Sequence, residues 1–138
     1  MTDAMALLAR AAEDLPKPLS AEAPAYALRA RPGGAFARGA LIAEQGFRPW
    51  HDALAAEGRT VTAELPMDAA PRGVSMVALT RARAENRALF ARAWALTEAG
   101  GHVLAAGAKT DGIESLQKDL RGLGLEPATT SSRPAIKR

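Results

Sequence analysis

Short apolar runs alternate with helix-forming stretches along most of this chain, and that alternation constrains the fold more than any other feature. AYALRA (25–30), ALIAEQ (40–45), RTVTAEL (59–65), VSMVALT (74–80) and HVLAA (102–106) each read as a strand. Between them lie FRPWHDALAAEG (47–58) and residues 82–99, and residues 112–122 follow the fifth run; all three read as helices. Strands separated by helices imply a parallel α/β sheet, because parallel neighbours need long crossover connections. Right-handed crossovers then place helices on both faces. The boundaries have chemical causes. Pro49 suits a first helical turn and Gly58 a C-terminal cap, while Gly100-Gly101 is expected to stop the helix that starts at residue 82.

Outside this frame, residues 4–15 put Met5, Leu8, Ala12 and Leu15 on one helical stripe, which Pro16 and Pro18 terminate. The expected organisation is an N-terminal helix and linker over 1–23 and a compact α/β domain over 24–130. Residues 131–138 are expected to be a tail or the start of a further domain. LEPATT (125–130) reads as a short edge strand, since Pro127 is tolerated only at an edge.

Composition narrows the chemistry. The 138 residues suffice for one domain with a real core, and 33 of them are alanine, so that core is expected to be small-grained with closely approaching helices. There is no cysteine, which excludes disulfides, thiolate metal sites and cysteine nucleophiles. Two histidines, His51 and His102, give no zinc-ligand spacing. No apolar run approaches a membrane span, and MTDAMALLARAAEDLPK lacks a signal-peptide pattern, so a cytoplasmic protein without membrane partners is expected. The net charge of +3 is compatible with RNA contact and does not demand it.

Three candidate sites follow from the residues. The turn after the first strand, Arg29-Ala30-Arg31-Pro32-Gly33-Gly34, has glycines but no G-x-G-x-x-G, and Pro32 removes a donor. Glu44 lies near the place where an acid could hold a ribose, but Gln45-Gly46 follows. The loop Gly107-Ala108-Lys109-Thr110-Asp111-Gly112 looks like a phosphate loop but departs from the Walker pattern. It reads better as a chain reversal with Asp111 as helix cap, leaving Lys109 open. Arg81, Arg83, Arg87 and Arg92 cluster around Glu85, and helical spacing lets neighbours four apart straddle phosphates. A solvated helix back explains the same cluster, and no aromatic residue interleaves with it to stack bases. His51-Asp52, Ser75 and Ser115 form no plausible triad, since adjacent helical residues do not face each other.

QGFRPWHDALAAEG (45–58), LTRARAENRALFARAWALTEAGGHVLAAG (79–107) and KTDGIESLQKDL (109–120) together resemble the N-terminal domain of bacterial small-subunit ribosomal RNA guanine methyltransferases, the C-type or "methyltransferase small" group. The resemblance runs from about Pro24 to Arg133, and G-x-K-x-x-G-I-x-S-L after Gly100-Gly101 is its most specific part. It implies a Rossmann-like class I methyltransferase-type sheet whose ligand site is degenerate. It further implies a second domain that binds S-adenosylmethionine and methylates a guanine exocyclic amine, using an Asn-Pro-Pro-Phe/Tyr motif. Here Thr80-Arg81-Ala82-Arg83 stands where that motif would be, and Asn86 is the sole asparagine. No catalytic or cofactor-binding residue therefore carries over, and the chain alone is expected to be inactive.

On this reading the chain supports the folding of a catalytic domain beyond Arg138 and helps position small-subunit ribosomal RNA, with Arg81, Arg83, Arg87 and Lys109 as the candidate RNA contacts. Two other readings stay open. One is a stand-alone Rossmann domain or methyltransferase binding a nucleotide or S-adenosylmethionine. The other is a structural interaction module.

Overall fold

A computed structural model describes residues 3–107 and 112–125, together with the strand backbones at 128–130 and 133–137. The elements are α1 (Ala4–Glu13), β1 (Ala25–Leu28), β2 (Leu41–Glu44), α2 (Arg48–Ala56), β3 (Thr60–Thr62), β4 (Arg72–Ala78), α3 (Arg83–Ala95), β5 (Thr97–Ala106), α4 (Ile113–Gly122), β6 (Ala128–Thr130) and β7 (Arg133–Lys137). All strands join one sheet in the order β3-β2-β1-β4-β5-β7-β6. The first five are parallel, and β7 runs antiparallel to both β5 and β6. The sheet is thus the expected parallel α/β core, to which β7 adds an antiparallel edge that the sequence did not signal. The chain builds outward from β1 to β3 and then crosses to β4, so the order reverses between β1 and β4. Open α/β sheets bind ligands beyond the carboxyl ends of the strands at such a reversal.

Strand alternation divides the core into two faces. Tyr26, Leu28, Val77, Leu79, Val103 and Ala105 point to one side, where α3 and α4 cover them with Leu89, Phe90, Ala93, Ile113, Leu116 and Leu120. Ala25, Ala27, Leu41, Ala43, Met76 and Leu104 point to the other. There α1 contributes Met5, Leu8 and Ala12, and α2 contributes Leu54. The alanine-rich second face lets the helices sit close, as the composition requires.

Three sequence expectations need correction. First, the N-terminal helix is not an appendage. Ala4, Met5 and Leu8 are almost wholly buried on the sheet, so the compact unit begins with α1 rather than near Pro24. Residues 29–40 join β1 to β2 without a helix, and α1 supplies cover on that face. Second, the segment read as a tail contains β7, where Val103 pairs with Ile136 and Leu104 with Ala135. Pro134 and the short length hid a strand that long-range pairing creates. Third, the helix expected over 82–99 ends at Ala95, and Gly100-Gly101 lies inside β5. Arg72 pairs with Thr97 and Val74 with His102, so β5 carries several extra residues opposite a two-residue step of β4. Gly101 permits this irregularity, because a Cβ there would stand 2.4 Å from the Gly73 carbonyl oxygen.

The helix α4 begins after Gly112, which has φ +78 and occupies the cap position expected for Asp111. A Cβ at Gly112 would lie 2.8 Å from Asn86 Nδ2. Asp111 and Lys109 fall outside the described residues.

Candidate ligand cleft and arginine cluster

Beyond the carboxyl ends of β1, β2 and β3, facing α3, lies a cleft of about 440 Å³. Its lining includes Arg29, Glu44, Gln45, Phe47, Glu85 and Arg92. This is the end of the sheet where the topology predicts a ligand. The polar groups there are already engaged with one another.

Glu44 closes β2 at the cleft. Its Oε1 accepts from Arg92 Nη1 at 2.7 Å, and its Oε2 accepts from Arg92 Nη2 at 2.6 Å and from the Leu65 N–H at 2.8 Å. Such a two-pronged guanidinium–carboxylate pair is among the stronger polar contacts available to a protein. Burial pushes the Glu44 carboxyl up, but the Arg92 hydrogen bonds and the Leu65 N–H outweigh it and hold it below its usual range. Arg29, the first residue after β1, has φ +58 and pairs with Glu85 on α3. Two ion pairs therefore strap α3 to the ends of β1 and β2.

The turn after β1 is equally committed. Arg31 Nη2 donates to the Leu79 carbonyl at 2.9 Å, beyond the end of β4. The Gly33 N–H donates to Glu57 Oε2 at 3.0 Å. Gly34 is required by packing, since a Cβ would come within 2.6 Å of the Phe36 ring and 2.9 Å of the Met5 carbonyl oxygen. Buried Gln45 donates to the Ala30 carbonyl at 2.7 Å and accepts from the Phe47 N–H at 2.8 Å, locking the exits of β1 and β2 together. The glycines thus serve loop geometry.

After β4, Asn86 is only 1% exposed. Its Oδ1 accepts from the Thr80 N–H and its Nδ2 donates to the Thr80 carbonyl, each at 2.8 Å. Its amide braces the start of α3 against the end of β4.

Of the arginines singled out from sequence, Arg83 and Arg87 are brought together by a residue the sequence did not suggest. Asp119 on α4 accepts from Arg83 Nε and Nη2 at 3.2 and 2.6 Å, and from Arg87 Nε and Nη2 at 2.8 and 2.9 Å. The Arg87 and Arg83 hydrogen bonds hold the Asp119 carboxyl well below the usual carboxylate range. Arg81 lies between β4 and α3 on the exposed surface. Arg92, grouped with these arginines in the sequence, instead belongs to the cleft. The pairing with Asp119 depends on residues 32 or more positions apart, for which the local sequence holds no signal.

His51 Nδ1 lies 3.4 Å from its neighbour Asp52, and Ser75 is buried beneath Thr97 Oγ1 at 2.9 Å. Neither has a nucleophilic arrangement. Among the described residues no cluster of histidine and carboxylate side chains could hold a metal ion, and no helix is long and apolar enough to cross a membrane.

No protein-family model matches the chain, and no curated protein matches it. A solved structure does: the T. thermophilus 16S rRNA N2 G1207 methyltransferase (RsmC) in complex with AdoMet and guanosine, with a TM-score of 0.60 and 19% sequence identity. The match covers 94% of this chain and 38% of that one. The present chain therefore has a methyltransferase-like α/β fold and spans well under half the length of its structural neighbour.

Proposed function

We propose that this chain is the non-catalytic N-terminal domain of an S-adenosylmethionine-dependent methyltransferase acting on a guanine exocyclic amine of small-subunit ribosomal RNA. It supports the folding of a catalytic domain and helps position the RNA. The observation that carries the non-catalytic part is the cleft itself. Glu44, the acid that could hold a ribose, is bound by Arg92 and the Leu65 N–H. The glycine turn has its N–H taken by Glu57. S-Adenosylmethionine is assigned to the catalytic domain, and the likeness to a 16S rRNA methyltransferase supports ribosomal RNA as the substrate class. Arg81, Arg83, Arg87 and Lys109 are the proposed RNA contacts, with Arg83 and Arg87 held side by side by Asp119.

Two measurements test this. Calorimetry with S-adenosylmethionine is expected to show no binding, and micromolar affinity would overturn the non-catalytic assignment. Filter binding at low salt is expected to show RNA affinity that drops when the four cations become alanine. Asp119→Asn serves as the control, because it breaks the same clamp while keeping both arginines. Equal loss in the control would mean that the clamp, not the cations, mattered.

A further inference from the structure

The mouth of the cleft carries a feature that the ion pairs leave unused. The start of α2 reads Phe47-Arg48-Pro49-Trp50 and brings together two of the six aromatic side chains of the protein. Their ring centroids are 5.2 Å apart at 79°, an edge-to-face pair. Both remain open to solvent, Phe47 at 54% and Trp50 at 38% exposure. The other large exposed apolar side chains among the described residues, Met67 and Leu123, lie on different segments.

The pair is held in place. The Phe47 N–H is fixed by buried Gln45. The Arg31 guanidinium carbon lies 5.3 Å from the Trp50 ring centroid while Arg31 is anchored on the Leu79 carbonyl. Arg48, the residue after Phe47, has 88% of its side chain exposed, and its ion pair with Asp52, which is also exposed, spans 3.4 Å. Contacts of that kind hold a side chain weakly, so Arg48 can turn to another anion.

The size and charge of the patch select its occupant. Two partly exposed rings offer about 200 Å² of surface, against roughly 800 Å² per partner in a stable protein interface. They match the face of a single base, and the exposed Arg48 guanidinium suits its phosphate, while Arg31 stays on the Leu79 carbonyl and backs the Trp50 ring. We propose that Phe47 and Trp50, framed by Arg31 and Arg48 at the mouth of the cleft, stack an unpaired nucleobase of a single-stranded RNA segment. The inference rests on the RNA-positioning reading above and places the contact at a surface distinct from the Arg83–Arg87 pair.

The test is fluorescence anisotropy with a labelled single-stranded oligoribonucleotide of about ten nucleotides, within the range such platforms span. Phe47→Leu with Trp50→Leu keeps apolar bulk but removes the π faces. This double variant is expected to melt like the parent and to bind about tenfold or more weakly, and Trp50→Phe to recover most of the loss. In a Trp94→Phe background Trp50 is the single indole, and its emission is expected to be quenched by unlabelled strand. Undiminished binding by the leucine variant overturns the inference but leaves the Arg81/Arg83/Arg87/Lys109 reading standing. Absence of RNA binding by the parent chain at low salt overturns both. Preference for duplex over single strand also overturns the inference, because paired bases cannot reach the rings. Concentration-dependent self-association abolished by the leucine variant, with RNA binding unchanged, would assign the patch to a second copy of the chain instead.

Discussion

Asp119 holds two guanidinium groups with one carboxylate, and its ionisation ties the packing of α4 on α3 to pH. Its folded-state acidity is raised by Arg87 and Arg83, so its folded pKa lies below that of the unfolded chain. The stability contributed is therefore present above the ordinary aspartate range and lost as pH falls toward the folded value. Glu44, lowered in the same direction by Arg92 and Leu65, adds to the loss at acid pH. Urea unfolding at stepped pH is expected to show falling stability below about pH 4. Asp119→Asn should be less stable than the parent at neutral pH and show a shallower acid decline. An unchanged acid profile in that variant would mean that the clamp is worth nothing in solution. Asn86 makes a second residue-scale case. Its amide satisfies both backbone groups of Thr80, so Asn86→Ala leaves a donor and an acceptor without these partners. The expected cost is about 2 kcal/mol or more, readable by the same unfolding assay.

Among the elements, α1 shows where sequence and structure part company. Its stripe of Met5, Leu8 and Ala12 is visible in the sequence as a helical period. That the stripe covers the face of β4 and β5 is not, because a local period gives no address. β1, β2 and the second half of β4 were legible for the opposite reason: their apolar runs are largely buried on both faces and bounded by turn residues, whereas half-buried β3 at the sheet edge showed through its Val61, Ala63 and Leu65 alternation. β7 was hidden, since five residues containing a proline become a strand only through pairing with β5 and β6. The end of α3 was misplaced because Gly100-Gly101 is a strong stop signal that the chain uses inside β5. The cleft was legible in part. Glu44 and the missing glycine fingerprint stood out, whereas the partners Arg92 and Glu85 depend on tertiary placement. Leu8→Ala should cost about 2–5 kcal/mol, as for other fully buried leucines, measured by denaturant midpoint. A loss under 1 kcal/mol, within the range of a surface site, would mean that α1 is an appendage after all. Gly101→Ala is expected to be comparably damaging, because two of the three nearest obstructing atoms are backbone carbonyls of Gly73 and Glu98 that cannot swing aside, and the third is Thr97 Cγ2.

For the molecule as a whole, the modest net charge of +3 limits how strongly phosphates can be held. Arg83 and Arg87 share one negative partner, so as a trio with Asp119 they present a single positive charge. Replacing Asp119 by asparagine raises the trio to two positive charges and the whole chain from +3 to +4. Each phosphate neutralised on a single strand contributes roughly −0.7 to the slope of log affinity against log salt. If Arg83 and Arg87 meet RNA, Asp119→Asn is expected to bind more tightly at low salt, with a steeper slope, and to converge on the parent at high salt. The stacking proposed at Phe47 and Trp50 is not ionic, so their leucine variants should lower affinity at every salt concentration with little change in slope. Anisotropy titrations across a salt series separate the two contributions. A slope in Asp119→Asn equal to that of the parent would remove Arg83 and Arg87 from the RNA surface and leave them as the brace between α3 and α4.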